Sequence, residues 1–143
     1  MSLENLRSRI ESFLKETPFQ VTKDGSYSLL YGSTNVVIKP LIFSGTIPLV
    51  SIFAYVVQGV NVNDKLMRYL NDINSRIVFG RFFVIEEEKL VVCQHSLFGS
   101  TLGKDELFTA IAAVAGASNQ YDEEIMQKFG GKRFIDVFLS RFG

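Results

Sequence analysis

Cys93 and His95 are the chain's one cysteine and one histidine, and they stand two positions apart. On a strand both would project to the same side. A thiol beside an imidazole could serve as nucleophile and base, or as half of a metal site. A zinc site would need carboxylates or a second subunit to complete it, because the chain has no other thiol or imidazole. A lone cysteine usually behaves as a small hydrophobe, so the pair reads as a buried structural cysteine and a strand-end histidine.

Glu86-Glu87-Glu88 offers adjacent carboxylates, but Lys89 follows and the run reads as a solvated hairpin tip. A mobile tip does not hold the fixed separation that an acid–base pair needs. Asp122-Glu123-Glu124 reads likewise as an exposed helix face. Gly130-Gly131-Lys132 lacks the strand–loop–helix frame of a phosphate-binding loop. Phe79-Gly80-Arg81-Phe82 has the aromatic character of RNA-binding strands. Yet no basic cluster surrounds it, and 15 basic residues cancel 15 acidic ones. The expectation is therefore a chain that is not an enzyme, with no catalytic residue, no metal, no cofactor and no nucleic-acid partner.

The elements that carry these residues follow from composition and periodicity. At 143 residues and 47% apolar content, with 13 phenylalanines, the chain is expected to form one domain over residues 1–143 around a well-filled core. The single cysteine suits a reducing cytoplasm, and the charges in Ser2–Arg7 interrupt the apolar run that an export signal needs. Pro40 to Asn63 carries no charge and is long enough to span a bilayer. Its prolines, glycines and β-branched residues instead predict two strands joined at Ser44-Gly45-Thr46, so no membrane partner is expected.

Leu3, Leu6, Ile10, Phe13 and Leu14 recur at helical steps, which predicts a first helix over Ser2 to Glu16, capped by Ser2 and stopped at Thr17-Pro18. Strands are predicted at Phe19–Thr22 and Ser26–Tyr31 around Lys23-Asp24-Gly25. Two more follow at Val36–Phe43 and Thr46–Gly59, after a turn at Gly32-Ser33-Thr34-Asn35. The last of these is apolar on both sides and so needs cover on both faces. Alternation sets Phe53, Tyr55 and Val57 on one side and Val50, Ile52, Ala54 and Val56 on the other.

A middle helix is predicted over Asp64–Ser75, with Asn63 as N-cap and Asn74 near the closing turn. A hairpin of Val78–Ile85 and Leu90–Leu97 comes next. A long helix, Lys104–Phe129, is weakened near Gly116 and ends at Gly130-Gly131, and a short helix over Lys132–Phe142 closes the chain.

Within this order, Leu70-Asn71-Asp72-Ile73-Asn74, Phe79-Gly80-Arg81-Phe82, the apolar strand Leu90–Cys93, Tyr121-Asp122-Glu123-Glu124 and Phe129-Gly130-Gly131 occur at a spacing that resembles the YbjN-like branch of the type III secretion chaperone-like superfamily. The stretch spans roughly half the chain; the N-terminal half agrees in pattern. The resemblance implies an α+β fold, an antiparallel β-sheet flanked by helices in the order α-β-β-β-β-α-β-β-α-α, commonly as a homodimer. It also implies a non-catalytic domain that holds a segment of a partner protein on an apolar surface. Secretion chaperones tend to be acidic, whereas this chain is neutral with a pI near 6.6.

The residues expected to meet the partner are Phe53, Tyr55, Val57, Phe82 and Val84. Leu66, Met67 and Leu70 on the middle helix are expected at the dimer interface. Partner side chains would be buried on the sheet, with strand addition at an exposed edge as a further mode. The alternative is a small-molecule-binding regulatory domain with a pocket between the sheet and the C-terminal helix.

Overall fold

In a computed structural model, which describes residues 1–137, the elements follow the order α1 Leu3–Leu14, β1 Gln20–Val21, β2 Tyr27–Tyr31, β3 Thr34–Phe43, β4 Ile47–Gln58, α2 Asp64–Asn74, β5 Arg81–Ile85, β6 Leu90–Phe98, α3 Lys104–Phe129 and β7 Lys132–Arg133. The sheet runs β1-β2-β3-β4-β6-β5, and every pairing in it is antiparallel. The fold is the α+β arrangement expected, an antiparallel sheet flanked by helices.

Local chemistry accounts for the helix starts. Ser2 and Asn63 both sit in extended backbone, and their side chains accept from the amides of Asn5 and Leu66. Each thereby satisfies one of the orphan N–H groups of a first turn. α3 is continuous through Gly116. The polar residues in its middle hold it to the sheet, because Asn119 Oδ1 accepts from Thr34 Oγ1 at 2.7 Å.

Several boundaries differ from expectation for tertiary reasons. Thr34 and Asn35 belong to β3, since Gly32 takes φ +62° and Gly32-Ser33 alone closes the hairpin between Tyr31 and Thr34. Val78 and Phe79 precede β5, and Val78 is 89% exposed. Gly80, at φ +84°, turns the chain into the strand. Lys132 and Arg133 are a strand rather than a helix start: they pair with Gln58 and Val57, on the part of β4 that β3 does not reach. Residues 134–137 are helical as expected, and the remainder of the final helix, from residue 138, lies outside the described residues.

The helices α1, α2 and α3 lie on one face. α1 packs on β3, α3 crosses β3, β4 and β6, and α2 packs on β5. The core between them contains Leu6, Ile10, Ile38, Ile52, Leu66, Ile73, Leu107 and Ile111, all at 0% exposure. On the other face the described residues place only the helical turn of residues 134–137, whose Phe134 ring packs against Tyr55, so the two-sided apolarity of β4 leaves the apolar surface around Phe53 and Phe83 uncovered among the described residues.

The edge at β5 is closed by a side chain. Asn74 Nδ2 donates to Phe82 O at 2.9 Å, and its Oδ1 accepts from Phe82 N at 2.7 Å. One amide thus takes the place of a neighbouring strand at that residue. The helix itself ends at Ser75 in right-handed backbone, so Asn74 is an edge clamp rather than the closing residue of α2. Asn74→Ala should lower stability by about 2 kcal/mol, the order of cost for stripping partners from two backbone groups. Asn74→Asp should not restore it, because the donor becomes a charge facing a carbonyl. Urea unfolding of the three proteins measures this, and a wild-type midpoint for Asn74→Ala would contradict the clamp.

Candidate functional site

The open face is set by alternation along four strands. In β4 the side chains of Val50, Ile52, Ala54 and Val56 are buried under the helices, while Leu49, Ser51 and Phe53 are half-buried and Tyr55 is exposed. Register carries the pattern sideways: Phe53 stands opposite Val37 and Gln94, and Tyr55 opposite Val92. Phe83 and Ile85 continue it on β5, where Phe83 pairs with Val92. Together with Lys39, Leu41 and Arg81 these residues form an open trough of about 520 Å³. Its floor is aromatic, with the rings of Phe53 and Tyr55 5.5 Å apart and Phe134 edge-on to Tyr55 at 4.9 Å.

Of the five residues expected to meet a partner, Phe53 and Tyr55 lie on this face. Val57 is fully buried on the helix side. The reason is a break in register between Tyr55 and Val57, which leaves Val56 and Val57 both facing inward. Phe82 is 3% exposed and packs edge-on against Tyr121 of α3. Val84 shares its phase and is packed against the core. The pairing of β5 with β6 sets this phase and the clamp on the Phe82 backbone agrees with it, so Phe83 and Ile85, rather than Phe82 and Val84, reach the trough. Alternation counted from Arg81 would have found them. Of the three residues expected at a dimer interface, Leu66 and Leu70 are buried within the chain itself and Met67 is half-buried on α2.

The cysteine and histidine do not form a reactive pair. Cys93 is opposite Ala54 and His95 opposite Ile52, so both belong to the helix side of β6. His95 Nδ1 accepts from the Gly80 amide at 3.0 Å, its ring packs against Phe79, and burial holds its pKa below the ordinary value. Cys93 is fully buried, and burial pushes its thiol up to about 12. At pH 8 about one thiol in ten thousand would be ionised, and thiolate is the reactive form. Native protein should therefore resist a thiol reagent at pH 8 and label fully in urea. Complete labelling without denaturant would overturn that picture.

Glu86–Glu88 form an exposed 3-10 turn closed by Lys89 at φ +53°. Among the described residues no group of histidine, cysteine, aspartate or glutamate side chains is placed to hold a metal ion. The interface between sheet and α3 is filled. The pocket there, lined by Thr34, Val56, Asn119 and Asp122 among others, measures about 10 Å³. That is room for one water at most, which leaves nothing to support the small-molecule alternative. No helix among the described residues is long and apolar enough to cross a membrane.

Solved structures share this architecture. The chain is similar to one in a crystal structure of the ExsC–ExsE complex, at 14% identity and TM-score 0.61, covering 86% of this chain and 92% of that one. It is similar also to a chain in the structure of the HopA1–SchA chaperone–effector complex, at 9% identity and TM-score 0.63, covering 86% and 98%. At such identities the likeness establishes the fold. No curated protein matches the sequence. Over residues 3–137, which include every strand and helix described above, the sequence matches the family described as T3SS (YopN, CesT) and YbjN peptide-binding chaperone 1, and the chain belongs to that family.

Proposed function

We propose that this chain holds a segment of a partner protein on the open face of its sheet, by burial of apolar side chains and without catalysis. The observation that carries the reading is the aromatic trough of Phe53, Tyr55 and Phe83, open among the described residues and opposite a face filled by α1, α2 and α3. In a family of peptide-binding chaperones, such a surface has a natural occupant. Large apolar patches are uncommon on chains that work alone, and covering one releases about 25 cal/mol per Å².

The trough also suits an added segment better than the sheet edges do. β1 is two residues long, and the outer edge of β5 is clamped at Phe82. The setting proposed is the cytoplasm, with the chain acting as one domain. A homodimer is proposed through the half-buried Met67 side of α2, which would leave the trough free. Sedimentation of wild type and Met67→Asp tests that part, and an unchanged wild-type monomer would sink it.

Affinity capture from native lysate, with wild type beside Phe53→Asp, tests the function. A small set of proteins retained by wild type and lost by the variant would support the trough. Equal retention by both would remove it.

A further inference from the structure

The side chains of the open face sort into rows by register. Lys39 stands opposite Ser51, and Ser51 opposite Ser96; in the next row come Val37, Phe53, Gln94 and Arg81. Gln94 ties the two rows together. Its Nε2 donates to Ser51 Oγ at 3.1 Å and Ser96 Oγ at 2.7 Å, and its Oε1 accepts from Arg81 Nε at 3.1 Å. A polar band therefore crosses the face from Arg81 on β5 to Lys39 on β3, a distance of about 14 Å at three strand spacings. Apolar side chains flank it: Tyr55, Phe83 and Ile85 on one side, Leu41, Leu49 and Phe98 on the other.

The band is cationic at both ends, and the two ends differ. Lys39 and Arg81 are the lysine and arginine of strands β3 to β6, which hold no aspartate or glutamate. Lys39 has a partner, with its Nζ 3.9 Å from Asp24 Oδ2. Arg81 takes part in none of the ion pairs among the described residues. Its guanidinium is nevertheless held in place, 4.7 Å from the centre of the Phe83 ring and bonded through Nε to Gln94. A flat, oriented guanidinium whose terminal nitrogens make no ion pair among the described residues is a ready site for a carboxylate.

We propose that the segment bound in the trough carries an aspartate or glutamate between apolar residues, and that this carboxylate pairs with the terminal nitrogens of Arg81. In an extended segment, side chains at alternate positions lie about 7 Å apart, which matches the spacing of the rows beneath them. The Tyr55 and Phe83 row is one step from Arg81 and the Leu41, Leu49 and Phe98 row two steps the other way, so the sequence selected, in either chain direction, is apolar, any, acidic, any, any, any, apolar. The inference rests on the trough being the peptide site and adds the chemistry of its occupant.

A phage-displayed library of random dodecapeptides, selected on wild-type protein, tests it. The enriched peptides are then titrated as labelled synthetic peptides against wild type, Arg81→Gln and Phe53→Asp. Selected peptides should share one acidic position with an apolar residue two places to one side and another four places to the other. Arg81→Gln should weaken them about tenfold, the usual order for one charge-assisted contact. A glutamine version of the peptide should lose as much against wild type and nothing further against Arg81→Gln. Rising salt should weaken the wild-type complex. Peptides with no acidic preference, bound equally by Arg81→Gln but lost by Phe53→Asp, would overturn the carboxylate while leaving the trough as the site. Binding unchanged in both variants would overturn the site reading and this inference together. A dimer split by Phe53→Asp would put a second copy on the face and overturn the peptide occupant.

Discussion

Gly131→Ala is expected to lower stability by about 2–4 kcal/mol, from backbone strain and overpacking acting together. Gly131 sits at φ +87°, a region that L side chains rarely adopt. A Cβ at this position would stand 2.6 Å from the carbonyl oxygen of Gln58, 2.9 Å from Val57 Cγ1 and 3.1 Å from the carbonyl carbon of Gly59. Two of these are backbone atoms that cannot swing aside. The chain can relieve the clash by lifting β7 from β4, but it then loses the pairing of Lys132 and Arg133 and the seat of Phe134 on Tyr55. Either route costs stability, and the melting temperature should fall by roughly 5–15 °C.

Gly116→Ala is the control. Gly116 is exposed in the middle of α3, and nothing lies within 4 Å of the added methyl. That change should raise stability by about 0.5–1 kcal/mol, the gain from a better helix former. Thermal unfolding of the two variants measures the contrast. A melting temperature for Gly131→Ala at or above that of wild type would contradict the packing of β7.

What the sequence shows of this fold is what depends on near neighbours. Asn63 and Ser2 read as caps because their bonds close within three residues, and Leu66, Leu70 and Ile73 read as the buried side of α2 because they share one helix face. The charged hairpin tip at Glu86–Lys89 and the buried fate of Cys93 were legible in the same way. Val57 was not. Its inward side chain comes from a register break against β6, which alternation within β4 does not reveal. Lys132 and Arg133 follow two glycines and resemble a helix start, yet they complete an edge of β4 left empty by a strand almost a hundred residues earlier in the chain. The site depends on the same kind of information. Phe82 and Phe83 are equally apolar, and the pairing of Phe82 with the inward-facing Cys93, together with the bonds from Asn74 to the Phe82 backbone, decides which of them faces the trough. Lys39, Gln94 and Arg81 are far apart in sequence and become one polar band only through three strand pairings.

Phe53→Asp should weaken binding of a trough peptide by at least about a hundredfold, or about 2.7 kcal/mol, while leaving the fold intact. Phe53 is half-buried at the centre of the open face, between Val37 and Gln94 and beside the Tyr55 ring. A peptide lying there covers it and removes water from it. An aspartate would bring a carboxylate into that interface, and its partial dehydration adds to the loss of the aromatic contact. The free protein has less at stake, because the core lies on the other side of the sheet and the strand change costs on the order of 1 kcal/mol. Phe83→Asp should behave similarly, since Phe83 supports the Arg81 guanidinium as well as the floor of the trough. Val78→Asp removes an equally apolar side chain that is 89% exposed and outside the trough, so it should bind as wild type does. Peptide titration together with circular dichroism separates these outcomes. Wild-type affinity in a folded Phe53→Asp would place the peptide elsewhere on the molecule. Equal loss in Val78→Asp would mean that the protein captures peptides through general apolar exposure rather than through this face.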